Sequence, residues 1–240
     1  MCKYVPVLTT VRRTGNNRDT IMATTFDQLE PRAALAAIAR QFYQRGWMPG
    51  TAGNLSARAD DPTLPGFWIT ASGMPKGQLD DTDFLLVGVS NDAVIERLRP
   101  AHKPSAETSI HRAIYRSFPQ ARACLHVHSV DACIAVSRVP AAMTMLRLPP
   151  LEVLKCFDLW EENPQIDLPV FANWLDVPRI ACDIEQRFAV MPPRIAALVI
   201  RDHGITVWGE SLQQAFNRVE VVEFIMSYMA RTGTLAGSSA

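Results

Sequence analysis

The chain has 240 residues, 48 % of them hydrophobic and 20 % charged, which suits a protein with a substantial core and excludes disordered, collagen-like and coiled-coil classes. Its 24 basic side chains balance 24 acidic ones, so it lacks the positive excess with which a general nucleic-acid binder displaces counterions. No run approaches the roughly 18 apolar residues of a membrane span, and the five cysteines form no CxxC pair, so a soluble cytoplasmic protein with reduced thiols is expected.

Residues 1–21 are polar and mildly basic without an apolar stretch, and read as a disordered leader ahead of Met22. Residues 22–232 read as one domain, and 233–240 as a flexible tail. Leu35, Ile38, Ala39 and Phe42 keep helical spacing within 28–45, with Pro31 in the first turn and Gly46 as a stop. Segments 67–70 and 84–89 read as strands. A helix is expected from Ser105, behind Pro104, carrying Ile110, Ile114 and Phe118 inward. Segment 124–128 reads as a strand followed by a helix over 129–137, and 196–200 with 205–208 as a hairpin turning at Asp202-His203-Gly204. A final helix starts at Ser211, with Gln214 completing a capping box. Strands interleaved with helices and short hairpins predict a three-layer α/β/α sandwich around a largely antiparallel or mixed sheet.

Three of the five histidines stand in informative places. In His126-Val127-His128 the strand period of two puts both imidazoles on one face and Val127 in the core. His203 follows 75 residues later, in a turn where Gly204 frees the backbone to aim a side chain. Three neutral imidazoles around Zn²⁺ leave a fourth position open, as catalytic zinc requires. Taken alone, His-x-His also suits surface or hydrogen-bonded core residues. His102 and His111 are left to that plain role, with His111 four residues from Glu107 on one helix face.

Three segments suit an anion. Gly50 to Ser56 is a small-residue loop with Asn54 as a donor. Thr70 to Gly77 follows a strand and contributes Lys76. Lys103-Pro104-Ser105 stands at a helix start. A phosphorylated substrate fits all three.

The ordered run GTAGNLSAR, TASG, KPSAET, HVHS and DHG resembles the class II, zinc-dependent aldolase family over roughly residues 28–231. The resemblance implies a homotetramer with active sites between neighbouring subunits, one zinc ion on His126, His128 and His203, and phosphate contacts from Gly53, Asn54, Ser72, Gly73 and Ser105. Ala106 replaces a serine frequent in the aldolases, and their acid/base carboxylate falls on Glu107. The stretches WMPGTAGNLSAR, SGMPKG and LEVLKCF resemble the branch that dehydrates a methylthio-bearing 1-phospho-2-ketose in methionine salvage. That likeness implies Glu152 as general acid/base with Lys155 beside it, and Lys76 among the substrate contacts. An aldolase or epimerase acting on another sugar phosphate is the alternative.

Overall fold

The computed structural model describes residues 25–59, 63 and 65–233. The expectations for the leader and for residues 234–240 fall outside the described residues. Five helices are present in the described chain: α1 (Pro31–Gln44), α2 (Thr108–Ser117), α3 (Val130–Ser137), α4 (Val177–Val190) and α5 (Leu212–Thr232). The strands are β1 (Asn54–Arg58), β2 (Gly66–Thr70), β3 (Phe84–Gly88), β4 (Val94–Arg97), β5 (Ala123–Val127), β6 (Met145–Arg147), β7 (Asp167–Phe171), β8 (Ala197–Ile200) and β9 (Gly204–Gly209). They form one nine-stranded sheet in the order β4-β3-β2-β1-β5-β9-β8-β7-β6. All neighbours are antiparallel except β7 and β8, whose parallel pairing is reached through the α4 crossover. The expected three-layer sandwich with a mixed, mostly antiparallel sheet is what the chain adopts.

Both sheet faces are covered, so most strands are apolar on both sides. Leu55 and Ala57 of β1, Ala123, Leu125 and Val127 of β5, and Ile205 and Val207 of β9 pack with α1, α3 and α5. Phe67, Ile69, Leu85, Val87, Cys124 and Trp208 point the other way, against α2 and α4. Val127 thus enters the core while its histidine neighbours do not. On that second face Asn54, Ser56, His126 and Thr206 interrupt the apolar pattern, all of them buried. A polar row inside a covered sheet needs partners, and these partners build the site. Edge strand β4 carries Glu96 and Arg97 on exposed positions, a guard against pairing with another chain.

Several expectations shift. Asn54 to Ser56 lie in strand β1, not in a loop, because β1 pairs with both β2 and β5. Helix α2 begins at Thr108, not Ser105. Ser105 instead forms a preceding turn, its carbonyl accepting from Thr108 N and Oγ1 at 3.1 and 2.6 Å. Glu107 flanks the helix without capping it, since its carboxylate is drawn elsewhere. At α5, Ser211 Oγ accepts from Gln214 N, but Gln214 Oε1 takes the N–H of Glu210, one residue earlier than a capping box requires. Among the described residues no helix is long and apolar enough to cross a membrane.

Candidate metal centre

The register of three strands assembles the site. Asn54 lies opposite His126, and His126 opposite Thr206, so residues about 70–80 positions apart in sequence stand in one row across β1, β5 and β9. His128 follows β5 directly, and His203 precedes β9 in the turn after β8. That turn requires Gly204: an added Cβ would lie 2.0 Å from the Val127 carbonyl oxygen. Asp202 beside it adopts a left-handed φ of 50°.

One ligand atom from each of Glu107, His126, His128 and His203 lies within 4.8 Å of the others. The Nε2 atoms of His126 and His128 are 3.0 Å apart. Glu107 Oε1 is 2.7 Å from His203 Nε2, and its Oε2 is 3.3 Å from His126 Nε2. The outer nitrogens of two of the rings are occupied elsewhere. His203 Nδ1–H donates to Asn173 Oδ1 at 3.1 Å, and His126 Nδ1 stands 2.9 Å from Thr206 Oγ1. With Nδ1 protonated, His126 and His203 turn their Nε2 lone pairs toward the neighbouring rings and the carboxylate. Such an array is repulsive without a cation, and its donor set is that of a transition-metal site.

The electrostatics agree. Burial, reinforced by His203 and His111 and opposed by Glu107, pushes His126 down to about 4. Burial, with His126 and His203 adding to it, takes His128 down to about 3. Both are therefore neutral near pH 7, the form that ligates metal. Burial alone would raise Glu107. Its interactions with His126, His203 and Asn54 outweigh it and hold the carboxyl well below its ordinary range.

The three anion-suited turns adjoin one another. Ser72 N donates to Lys103 O at 2.9 Å, Ser105 N to Thr70 O at 3.2 Å, and Lys76 N to Gly50 O at 3.0 Å. Gly73 is exposed at a φ of +73° with open space around it, whereas Gly53 is packed against Met48 and the His126 carbonyl. Asn54 faces inward, its Nδ2 donating to Glu107 Oε2. Ser105 Oγ accepts from Glu107 N at 3.3 Å. Lys76 is only 2 % exposed, its ammonium donating to Met74 O at 3.0 Å. Burial lowers it to about 8, against the opposing charges of Glu107 and Asp83.

Glu152 and Lys155 are placed differently. They share a 3₁₀ turn over Glu152–Phe157 and pair with each other at 3.0 Å, with the Glu152 side chain 75 % exposed. Glu152 does not join the four clustered side chains. Sequence reasoning passed over Asn173 and Thr206, which orient two of the imidazoles. Neither carried a local signal: Thr206 meets His126 only through the β5–β9 pairing of segments 80 residues apart, and Asn173 follows β7 with no periodic signal.

A model of the Class II Aldolase and Adducin N-terminal domain matches residues 33–229. The chain is 56 % identical over 200 residues to the methylthioribulose-1-phosphate dehydratase of Microcystis aeruginosa, covering 83 % of this chain and 95 % of that one. It is 42 % identical over 200 residues to the enzyme of the same name from Leptospira biflexa, covering 82 % and 95 %. Among solved structures it is similar to L-fuculose-1-phosphate aldolase from Thermus thermophilus, with 24 % identity, a TM-score of 0.63, and 87 % and 97 % of the two chains covered.

Proposed function

This chain belongs to the class II aldolase and adducin family, and on that premise we propose that it dehydrates methylthioribulose 1-phosphate to the 2,3-diketo-5-methylthiopentyl 1-phosphate. The 56 % identity to a dehydratase of that name supports the substrate, and the convergence of three imidazoles with Glu107 carries the chemistry. His126, His128 and His203 would hold one metal ion. Zinc is the proposed ion, although three imidazoles also accept Mn, Fe, Co or Ni. When bound, the ion would polarise the adjacent carbonyl and hydroxyl oxygens of the ketose as a Lewis acid.

The protein's own groups handle protons and position. Glu107 is held ionised, so its Oε1 can accept the proton from C3 of the sugar. Delivering that proton to the departing C4 oxygen releases water, and the enol left behind tautomerises to the diketone. Gly53, Ser72, Gly73 and Ser105 would carry the phosphate, with Lys76 contributing charge and Asn54 steadying Glu107. Glu152 and Lys155 enter this reading as groups presented by an exposed turn. A homotetramer with sites between neighbours, as the family suggests, would bring that turn against a site. In this reading residues 22–232 act as one domain, in the cytoplasm.

Purified, zinc-loaded protein incubated with methylthioribulose 1-phosphate should yield one product lighter by a single water. Two fragments from carbon–carbon cleavage, or an unreacted substrate, would overturn the dehydratase reading. Cleavage of another sugar phosphate would favour an aldolase.

A further inference from the structure

Behind Glu107 the polar row continues into the interior of the α2 face. Glu107, just before α2, and His111 and Tyr115 within it follow one another at intervals of four, while Asn54 and Ser56 are two apart on β1. Four residues of helix advance about 6 Å, and two residues of strand advance nearly 7 Å. The two rows therefore interleave as Glu107, Asn54, His111, Ser56, Tyr115. Asn54 Nδ2 donates to Glu107 Oε2. His111 Nε2 lies 2.5 Å from Asn54 Oδ1, and His111 Nδ1 lies 2.6 Å from Ser56 Oγ. Ser56 Oγ is 2.9 Å from Tyr115 Oη. His111 and Ser56 are fully buried and Tyr115 nearly so.

The chain of bonds has one consistent direction. An ionised Glu107 only accepts, so Asn54 must turn its NH₂ toward it and its oxygen toward His111. His111 must then carry its proton on Nε2, which leaves Nδ1 to accept the Ser56 hydroxyl proton. Ser56 Oγ in turn accepts from Tyr115. The Cys124 carbonyl, 3.3 Å from Ser56 Oγ, is a longer and weaker acceptor for that proton than His111 Nδ1 at 2.6 Å. Reversing the Asn54 amide would set its oxygen against the Glu107 carboxylate, two acceptors facing each other. Burial keeps the ring neutral, pushing His111 down to about 4 despite the opposing charge of Glu107.

We infer that His111 is a positioning residue for Glu107: through the Asn54 amide it holds Oε2 in place and leaves Oε1 turned toward His203. The inference rests on Glu107 acting as the proton carrier of the dehydration.

The test compares zinc-loaded wild type, His111→Leu and His111→Gln with methylthioribulose 1-phosphate as substrate. Leu fills the space without a donor, and Gln restores one near the Nε2 position. For His111→Leu, kcat should fall about 10- to 100-fold, the usual effect of removing an outer partner of a metal-site group, with KM and metal content little changed. His111→Gln should recover most of that loss. A folded, metal-loaded Leu variant with undiminished kcat, or a Gln variant no better than Leu, overturns the inference. Nitrogen-15 NMR of the imidazoles needs no substrate and decides the case if the Leu variant does not fold. His111 should be a neutral Nε2–H tautomer from about pH 5 to 8, and an Nδ1–H or charged ring there overturns the inference. A wild type that fails to dehydrate the substrate would instead count against the function, leaving the NMR result to judge His111.

Discussion

The two glutamates considered for proton transfer have sharply different surroundings. Glu107 sits among three imidazoles, whereas Glu152 faces solvent beside Lys155. Glu107→Gln should lower kcat about 10²- to 10⁴-fold, the usual contribution of a positioned acid or base, and should also reduce metal content because the carboxylate touches two ligating rings. Glu152→Gln should leave metal content and melting temperature unchanged. Its kcat decides whether the exposed turn works in a site: an equally large fall assigns Glu152 a proton transfer, and wild-type turnover leaves Glu107 as sole carrier. Metal analysis should find one transition-metal ion per chain, with imidazole nitrogens at about 2.0–2.1 Å if it is zinc. Chelation should abolish turnover and added zinc restore it. Gly204→Ala drives a Cβ into the backbone between the two strand histidines, so that variant should lose metal and thermal stability together.

At the scale of elements, α3 and α5 join the site to the core. Ser129, next to His128, caps α3 by accepting the N–H of Ala132 at 3.0 Å. Glu223 of α5 is buried nearby, with Oε1 lacking a partner among the described residues. Burial pushes its carboxyl up to about 7, although a hydrogen bond with Ser129 pulls the other way. The folded chain therefore favours the protonated acid more than the unfolded chain does. That stabilisation is complete below pH 4.5, the ordinary value, and is lost as the pH rises through about 7. The change amounts to about 3 kcal/mol. Across that window Glu223 opposes the gain in stability that the buried neutral histidines His111, His126 and His128 give as pH rises. Melting temperatures of Glu223→Gln should therefore climb more steeply with pH than those of the wild type; equal slopes would show that Glu223 does not titrate there.

The whole molecule leaves apolar side chains on its outer helices. Val130 is 73 % exposed and Phe224 54 %, and both lie on the packed pair α3 and α5. In the proposed homotetramer such groups have somewhere to go, and the Glu152 turn can reach a neighbouring site. Sedimentation of the full chain should give a tetramer at working concentrations; a monomer with full dehydratase turnover would show that one chain carries a complete site.

Much of the site was legible because its signals are local. The strand period of two put His126 and His128 on one face, the Asp202-His203-Gly204 turn marked the third imidazole, and Ser129 and Ser211 announced two helix starts. Alternating strands and helices indicated the layered fold. Strand β1 was hidden in a small-residue loop because its identity depends on pairing with β2 and β5. The Glu107 carboxylate, the Asn173 contact with His203 and the His111 row likewise depend on long-range placement. Sequence by itself determined which ligands exist and the class of chemistry they suit. Tertiary structure alone decided that Asn54, His126 and Thr206 share a row, that Glu107 enters the cluster and Glu152 does not, and that Lys76 is buried. Those outcomes come from pairing segments tens of residues apart, which leaves no period in the chain to read.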